Sequence, residues 1–257
     1  MTEVEVVALQ LAARTGDLES NRARFAQAVR ERCGGADLIV APELLSAGYD
    51  LDEIDRRGDD LAEPLEGPTS RLSAALAAEL EATIVVGLLE RADESLYDTA
   101  AVVTPDGAVA GYRKSHLYPP ETSRFAAGDE LVTLATPVGQ LGLMICFEHA
   151  FPEIATALAL RSAQIIAIPS AVPLGYEHLL TLRTRARAQD NQVFVVASNL
   201  AGDGFCGGSL IVDPRGDVIA AAGADEAVIR ARIDLGAIER EREREPALRL
   251  RRPRLYG

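Results

Sequence analysis

Short apolar runs, each too brief for a stable helix, recur along this chain and set most of what it can fold into. Val4 to Leu9 (VEVVAL), Asp37 to Ala41 (DLIVA), Thr83 to Leu89 (TIVVGLL) and Leu141 to Ile145 (LGLMI) read as strands. So do Gln164 to Ile168, Val193 to Ser198 (VFVVAS), Ser209 to Val212 (SLIV) and Ala227 to Ile233. Helical patterns lie between them. Leu18 to Cys33 is one, with Asp17 as N-cap and Gly34-Gly35 as stop. Thr69 to Glu81 is another, with Thr69 as its cap. Pro152 to Arg161 takes a proline at its first turn, and Glu177 to Asn191 follows. Midway the rhythm changes, because Tyr97 to Thr104 and Ala108 to Arg113 flank the hairpin signal Pro105-Asp106-Gly107. Pro214-Arg215-Gly216 is a further turn. Helices that separate continuous apolar strands imply sheets buried on at least one face, and the hairpins imply antiparallel pairing. The pattern predicts an α/β layered domain with more than one sheet or one large mixed sheet.

Composition narrows the function. With 257 residues, 48% hydrophobic and 25% charged, the chain is neither disordered nor fibrous. No apolar run approaches the roughly 18 residues of a membrane span. The opening MTEVEVVALQ carries acids where a signal peptide would be basic, which points to the cytoplasm. Lys and Arg number 26 against 39 Asp and Glu, a net charge of −13. That balance repels phosphate backbones and anionic membranes, so neither nucleic acid nor membrane is an expected partner. The 3 cysteines are too few for a disulfide framework and fit a reducing compartment. There is no HxxxH, CxxC, GxGxxG or GxxxxGK[ST], so neither metal nor cofactor is expected. The run Glu239 to Glu245 (ERERERE) reads as a solvated helix face ending a domain over 1–245, and residues 246–257 as an extended basic arm.

Functional groups in α/β sheets gather beyond the carboxyl ends of strands. After DLIVA comes Pro42-Glu43, after the hairpin Arg113-Lys114-Ser115-His116, and after LGLMI Cys146-Phe147-Glu148. A carboxylate, an ammonium and a thiol form a coherent set. The carboxylate can take the thiol proton, and the ammonium favours the thiolate and a later oxyanion. Each also has a bland reading: an arbitrary glutamate or lysine is usually solvated, and a lone cysteine is often a core thiol. Cys33 reads as structural and Cys206 as a loop residue in GDGFCGG. His149 lies too close along the chain to Cys146 for the usual Cys–His pair.

The segments APELLSAGYD, GYRKSHLY and LMICFEHAFPE resemble the signature segments of the nitrilase superfamily, the carbon-nitrogen hydrolases. The likeness continues in order through LALRSAQIIAIPSA, LRTRARAQDNQVFVVASN and GGSLIVDPRGDV. It implies a four-layer α-β-β-α sandwich. It also implies a homodimer packed through helices near 152–161 and 177–191, with the C-terminal arm crossing the partner. By position it places the general base on Glu43, the lysine on Lys114 and the nucleophile on Cys146. A further catalytic glutamate falls on Glu121, ahead of Gly128. The implied chemistry is hydrolysis of a non-peptide C–N bond in a small amide, through a thioester, releasing ammonia or an amine. Tyr49, Phe147, Glu148 and Ala171, the last in the 171–178 loop, are the expected substrate contacts. FEHAFPE is intermediate between the nitrile-type and amide-type patterns. Carbamoylase or nitrilase activity with the same triad, acyl transfer, or a catalytically idle binding member are the alternatives.

Overall fold

The computed structural model describes residues 3–202 and 204–255. Asp203 of the GDGFCGG loop and the last two residues of the expected arm, Tyr256 and Gly257, lie outside the described residues. The first half of the chain supplies β1 (Glu3–Gln10), α1 (Leu18–Arg32), β2 (Leu38–Val40), α2 (Leu51–Leu61), α3 (Pro68–Leu80), β3 (Thr83–Ala92), β4 (Ser95–Val103) and β5 (Val109–Arg113). The second half supplies β6 (Thr133–Thr136), β7 (Gly139–Leu143), α4 (Pro152–Leu160), β8 (Ile165–Ser170), α5 (Glu177–Asn191) and β9 (Phe194–Asn199). A small pair, β10 (Ala201–Gly202) and β11 (Phe205–Cys206), precedes β12 (Leu210–Val212), β13 (Val218–Ala221), β14 (Ala227–Asp234) and α6 (Gly236–Arg244).

Two mixed six-stranded sheets result, ordered β14-β1-β2-β3-β4-β5 and β13-β12-β9-β8-β7-β6. In each, parallel pairing in the middle gives way to antiparallel pairing toward the edges. Strand alternation assigns the faces. Val4, Val6 and Ala8 of β1 join the cluster between the sheets, with Leu141, Leu143 and Phe194 opposite. Val7 and Leu9 point the other way, to Phe25 and Val29 of α1 and Leu76 of α3. On the far side, Ile166 and Val195 meet Ile154 and Leu158 of α4 and Leu180 of α5. With both faces of both sheets covered, strands read as continuous apolar runs. The layers are α-β-β-α, as the resemblance implied.

Several local expectations change. The helix expected from Thr69 begins at Pro68 after Gly67, and the Thr69 N–H is taken by Glu63 Oε2 at 2.7 Å, so Thr69 is capped rather than capping. α2 was not expected, because LDEIDRRGDDL shows few apolar residues. Asp50 caps it, accepting from the Glu53 N–H at 2.9 Å, and Ile54 and Leu61 anchor it. The LGLMI strand leaves the ladder at Leu143, which frees the chain to turn at Cys146. The ERERERE run forms α6, solvated except where Ile238 enters the central cluster and Glu241 folds inward against Arg244. Beyond it the chain turns instead of running extended. Leu250 N–H bonds Pro246 O at 3.0 Å, Leu248 packs on the α4–α5 cluster, and Pro253–Leu255 is a 3-10 helix.

Candidate active site

Glu43, Lys114 and Cys146 each follow a strand, and each segment is fixed locally. Pro42 O accepts the Gly87 N–H at 3.1 Å. A Cβ on Gly87 would stand 2.4 Å from Pro42 O and 2.6 Å from Glu43 Cα, so only glycine lets the Glu43 segment lie against β3. Lys114 is held by its own N–H to Asp98 O at 2.8 Å and by its carbonyl, which accepts the Gly128 N–H at 2.9 Å. Gly128 is equally constrained, since a Cβ there would meet Arg113 O at 2.3 Å. Cys146 adopts φ +40°, a left-handed conformation that costs a cysteine about 1–3 kcal/mol. It opens a 3-10 helix, Cys146–Ala150.

Glu148 fastens the cysteine and lysine segments together. Its Oε2 accepts the Ile145 N–H at 2.7 Å. Its Oε1 accepts from the Ser115 N–H at 2.8 Å, Ser115 Oγ at 2.6 Å and Tyr112 Oη at 2.7 Å. Glu148 therefore sits behind the site and does not line the cavity that holds Cys146, unlike the substrate contact expected of it.

The Lys114 ammonium donates to Glu43 Oε1 at 2.6 Å and to Glu121 Oε1 at 2.8 Å, and lies 3.2 Å from Asp98 Oδ2. All four side chains are fully buried. Oxygens of the three carboxylates lie within 4.8 Å of one another, a spacing that suits a cation, and the ammonium already supplies that charge. Glu121 also accepts from Tyr49 Oη at 2.6 Å and from the Tyr118 N–H at 2.7 Å. The loop carrying Glu121 thus reaches Lys114. Asp98 went unnoticed in the sequence, although an acid inside the apolar strand SLYDTAAVV is a visible anomaly.

Burial alone would lower the Lys114 pKa, but Glu43, Asp98, Cys146 and Glu121 together outweigh it and hold the ammonium well above the usual lysine value. Burial, reinforced by the Glu43 charge, pushes the Cys146 thiol well above its ordinary value against Lys114 and the Ala171 N–H. The resting group is a thiol, not the thiolate that an adjacent ammonium alone would favour. Burial followed by the Glu43 charge also raises Asp98 well above the carboxylate range. His149 is pushed down to about 3 by burial and then by Arg183 and Arg187.

Cys146, Lys114 and Glu121 open on a cavity of about 210 Å³, room for a small acyl group rather than a drug-sized ligand. Tyr49, Phe147 and Ala171 line it as expected, with Tyr118, Tyr176 and Phe205 beside them. The arginines of RTRAR part company. Arg183 lines the cavity and donates to His149 Nε2 at 3.2 Å, Arg185 bonds Gly216 O at 2.7 Å, and Arg187 is buried. Arg183 has no acidic partner among the described residues. His116 bonds Ser115 Oγ at 2.9 Å and lies against Phe151, a scaffold position. Cys33 and Cys206 are buried away from the cavity.

A layered sandwich of two mixed sheets, with a buried Glu-Lys-Glu network opening on a cysteine, defines a hydrolase-type site. The carbon-nitrogen hydrolase family matches residues 5–243, and the chain belongs to that family. It is 33% identical to an (R)-stereoselective amidase from Pseudomonas sp over 99% of this chain and 93% of the relative. It is 32% identical to the omega-amidase of Homo sapiens over 87% of this chain and 86% of the relative. The crystal structure of a carbon-nitrogen hydrolase from Helicobacter pylori G27 superposes with a TM-score of 0.90 at 27% identity, over 99% of this chain and 97% of that one. The sequence resemblance and the four-layer fold it implied are both borne out.

Proposed function

We propose that this protein hydrolyses a small linear amide through a thioester on Cys146. The observation that carries the reading is the direct bonding of Lys114 to Glu43 and Glu121 beside the cavity of Cys146. Because the resting thiol is protonated, its proton must leave as it attacks. Glu43 takes that proton while sulfur bonds to the amide carbonyl carbon. The Lys114 ammonium and the Phe147 N–H stabilise the oxyanion. The C–N bond breaks as Glu43 returns the proton to the leaving nitrogen, and ammonia or an amine departs. Water then attacks the thioester, giving a proton to Glu43. The C–S bond breaks, sulfur recovers the proton and the acid is released. Glu121 orients Lys114, and Tyr49 holds Glu121.

Away from Cys146, Lys114 and Glu121 the cavity wall is aromatic and aliphatic apart from His149 and the Arg183 guanidinium, so an acyl chain ending in an acid group fits it. Several similar proteins are named amidases and others nitrilases, and the amidase names, the (R)-stereoselective amidase and the omega-amidases among them, support the amide. Leu160 and Leu182, 53% and 62% exposed on α4 and α5, support a homodimer through this face. Gel filtration showing a stable monomer would contradict that pairing. No described helix is long and apolar enough to cross a membrane. The three free cysteines support a cytoplasmic setting. Ammonia release from a panel of amides, nitriles and carbamoyl compounds tests the function. Turnover of amides by the native protein, lost in Glu43→Gln, is the expected result. Normal rates in that variant would exclude Glu43 as the base.

A further inference from the structure

Asp98 stands in the middle of β4, paired with Leu89 in the ladder and with no route to solvent. Neither of its carboxyl oxygens accepts a hydrogen bond, although the Lys114 ammonium lies 3.2 Å from Oδ2, and Glu43 Oε2 is equally buried and accepts none either. These groups share one pocket of the interior, with carboxylate oxygens of Glu43, Asp98 and Glu121 all within 4.8 Å. The ammonium hydrogen-bonds Oε1 of Glu43 and Oε1 of Glu121, and its Nζ lies 3.2 Å from Asp98 Oδ2 without forming a hydrogen bond, so one positive charge faces three carboxylates while Glu43 Oε2 and Asp98 Oδ1 keep no donor. Three ionised carboxylates around one ammonium would leave uncompensated buried charge, which protein interiors avoid by taking up a proton. One proton removes a negative charge and creates the donor that the orphan oxygens lack.

We propose that Asp98 is a positioning residue that keeps a proton in the resting enzyme and donates it in a hydrogen bond to Glu43. Glu43 is thereby held as an oriented, ionised base facing the Cys146 thiol. Of the three acids, Asp98 is the one suited to carry the proton. Glu121 accepts hydrogen bonds from Lys114, Tyr49 and the Tyr118 N–H, and Glu43 accepts one from Lys114, all of which favour the ionised form. Asp98 accepts none on its side chain. Burial and then the Glu43 charge raise Asp98 well above the carboxylate range, and burial raises Glu121 too, but the Lys114 charge and the hydrogen bonds from Lys114 and Tyr49 pull Glu121 partly back down. The charged and titratable groups facing the pair are Lys114 beyond β5, Glu121 and Tyr49 from the flanking loops, and Cys146 beyond β7. The inference rests on Glu43 acting as the base toward Cys146.

The test is the pH dependence of two rates in native protein, Asp98→Asn and Asp98→Ala. One is kcat/KM for an amide that the enzyme turns over. The other is alkylation of Cys146 by iodoacetamide, which needs no substrate. A donor to Glu43 favours its ionised form, so losing the donor should move the acid limb upward, by about one pH unit in Asp98→Ala. Asp98→Asn keeps an N–H donor at the same place and should restore the native limb. If Asp98 were instead ionised, both variants would remove a negative charge and move the limb downward. That result, or no shift in either variant, would overturn the proposal. Infrared spectra give a reading independent of rates and of how well the alanine variant folds. A protonated carboxyl C=O band at neutral pH should be present in the native protein and missing in Asp98→Asn. Its presence in both at equal strength also overturns the proposal. Absence of any amide turnover, with the alkylation limbs behaving as expected, would sink the hydrolase reading alone.

Discussion

Glu148 accepts the backbone N–H of Ser115 at 2.8 Å across 33 residues of sequence, and so ties the residue after Lys114 to the turn that carries Cys146. No hydrogen bond or ion pair among the described residues joins Glu148 to the thiol or the ammonium; it holds the two segments that carry them. Glu148→Ala should leave the N–H groups of Ile145 and Ser115 without their partner, at a cost of about 3 kcal/mol. Urea unfolding measures that loss. In the fraction that folds, kcat should fall more than KM rises, because geometry rather than substrate binding is disturbed. Native kinetics in this variant would mean the clamp is irrelevant.

Gly87→Ala pushes a methyl into Pro42 O and Glu43 Cα. The backbone there has no flexible side chain to yield. We expect a stability loss of about 2 kcal/mol or more, together with a loss of activity as the Glu43 segment lifts. Equal melting temperatures for variant and native protein would show that the segment has slack.

His149 titrates near 3 in the folded protein, against an ordinary value near 6.5. The unfolded chain binds a proton on this ring that the folded protein refuses. The stability present above about pH 6.5 is therefore lost as pH falls toward 3, at a slope of at most about 1.4 kcal/mol per pH unit. His149→Gln removes the proton uptake by the unfolded chain. Unfolding free energies measured from pH 4 to 6.5 should fall less steeply in the variant than in the native protein. Parallel slopes would contradict the buried neutral ring.

Arg183 puts a cation on the wall of the cavity that holds Cys146, with no acid paired to it among the described residues. The protein as a whole is strongly acidic, with a net charge of −13, and repels anions at long range. Screening confines that repulsion to about 8 Å at physiological salt, so a local guanidinium decides within the cavity. We expect kcat/KM for the monoamides of four- to six-carbon dicarboxylic acids to exceed that for the matching uncharged amides. Arg183→Gln should shrink this ratio by about 10- to 100-fold. A ratio that stays the same in the variant would remove Arg183 from substrate selection.

The strands, and the residues that end them, were legible because burial on both faces writes itself as continuous apolar sequence. Glu43, Lys114 and Cys146 each follow such a run or a hairpin. Tyr49 and Ala171 came from the resemblance and do line the cavity. What escaped the sequence turns mostly on which side chain reaches which backbone donor. Glu148 looked like a pocket residue because it is near Cys146, but its bonds to Tyr112 and Ser115 turn it away. Thr69 looked like a cap until Glu63 reached its N–H. α2 hides because its apolar stripe is narrow, Leu51, Ile54 and Leu61 at helical spacing among polar residues and one glycine. Asp98 was readable in principle, as an acid in a strand that is otherwise buried.

The central claim is that Cys146 forms a covalent bond to the acyl carbon of an amide. Intact-mass spectrometry on rapidly quenched reactions measures this directly, with peptide mapping to locate the adduct. The account predicts an acyl mass on Cys146 in the native protein, and neither adduct nor amide turnover in Cys146→Ala. Cys146→Ala releasing ammonia from the same amide at the native rate would contradict it.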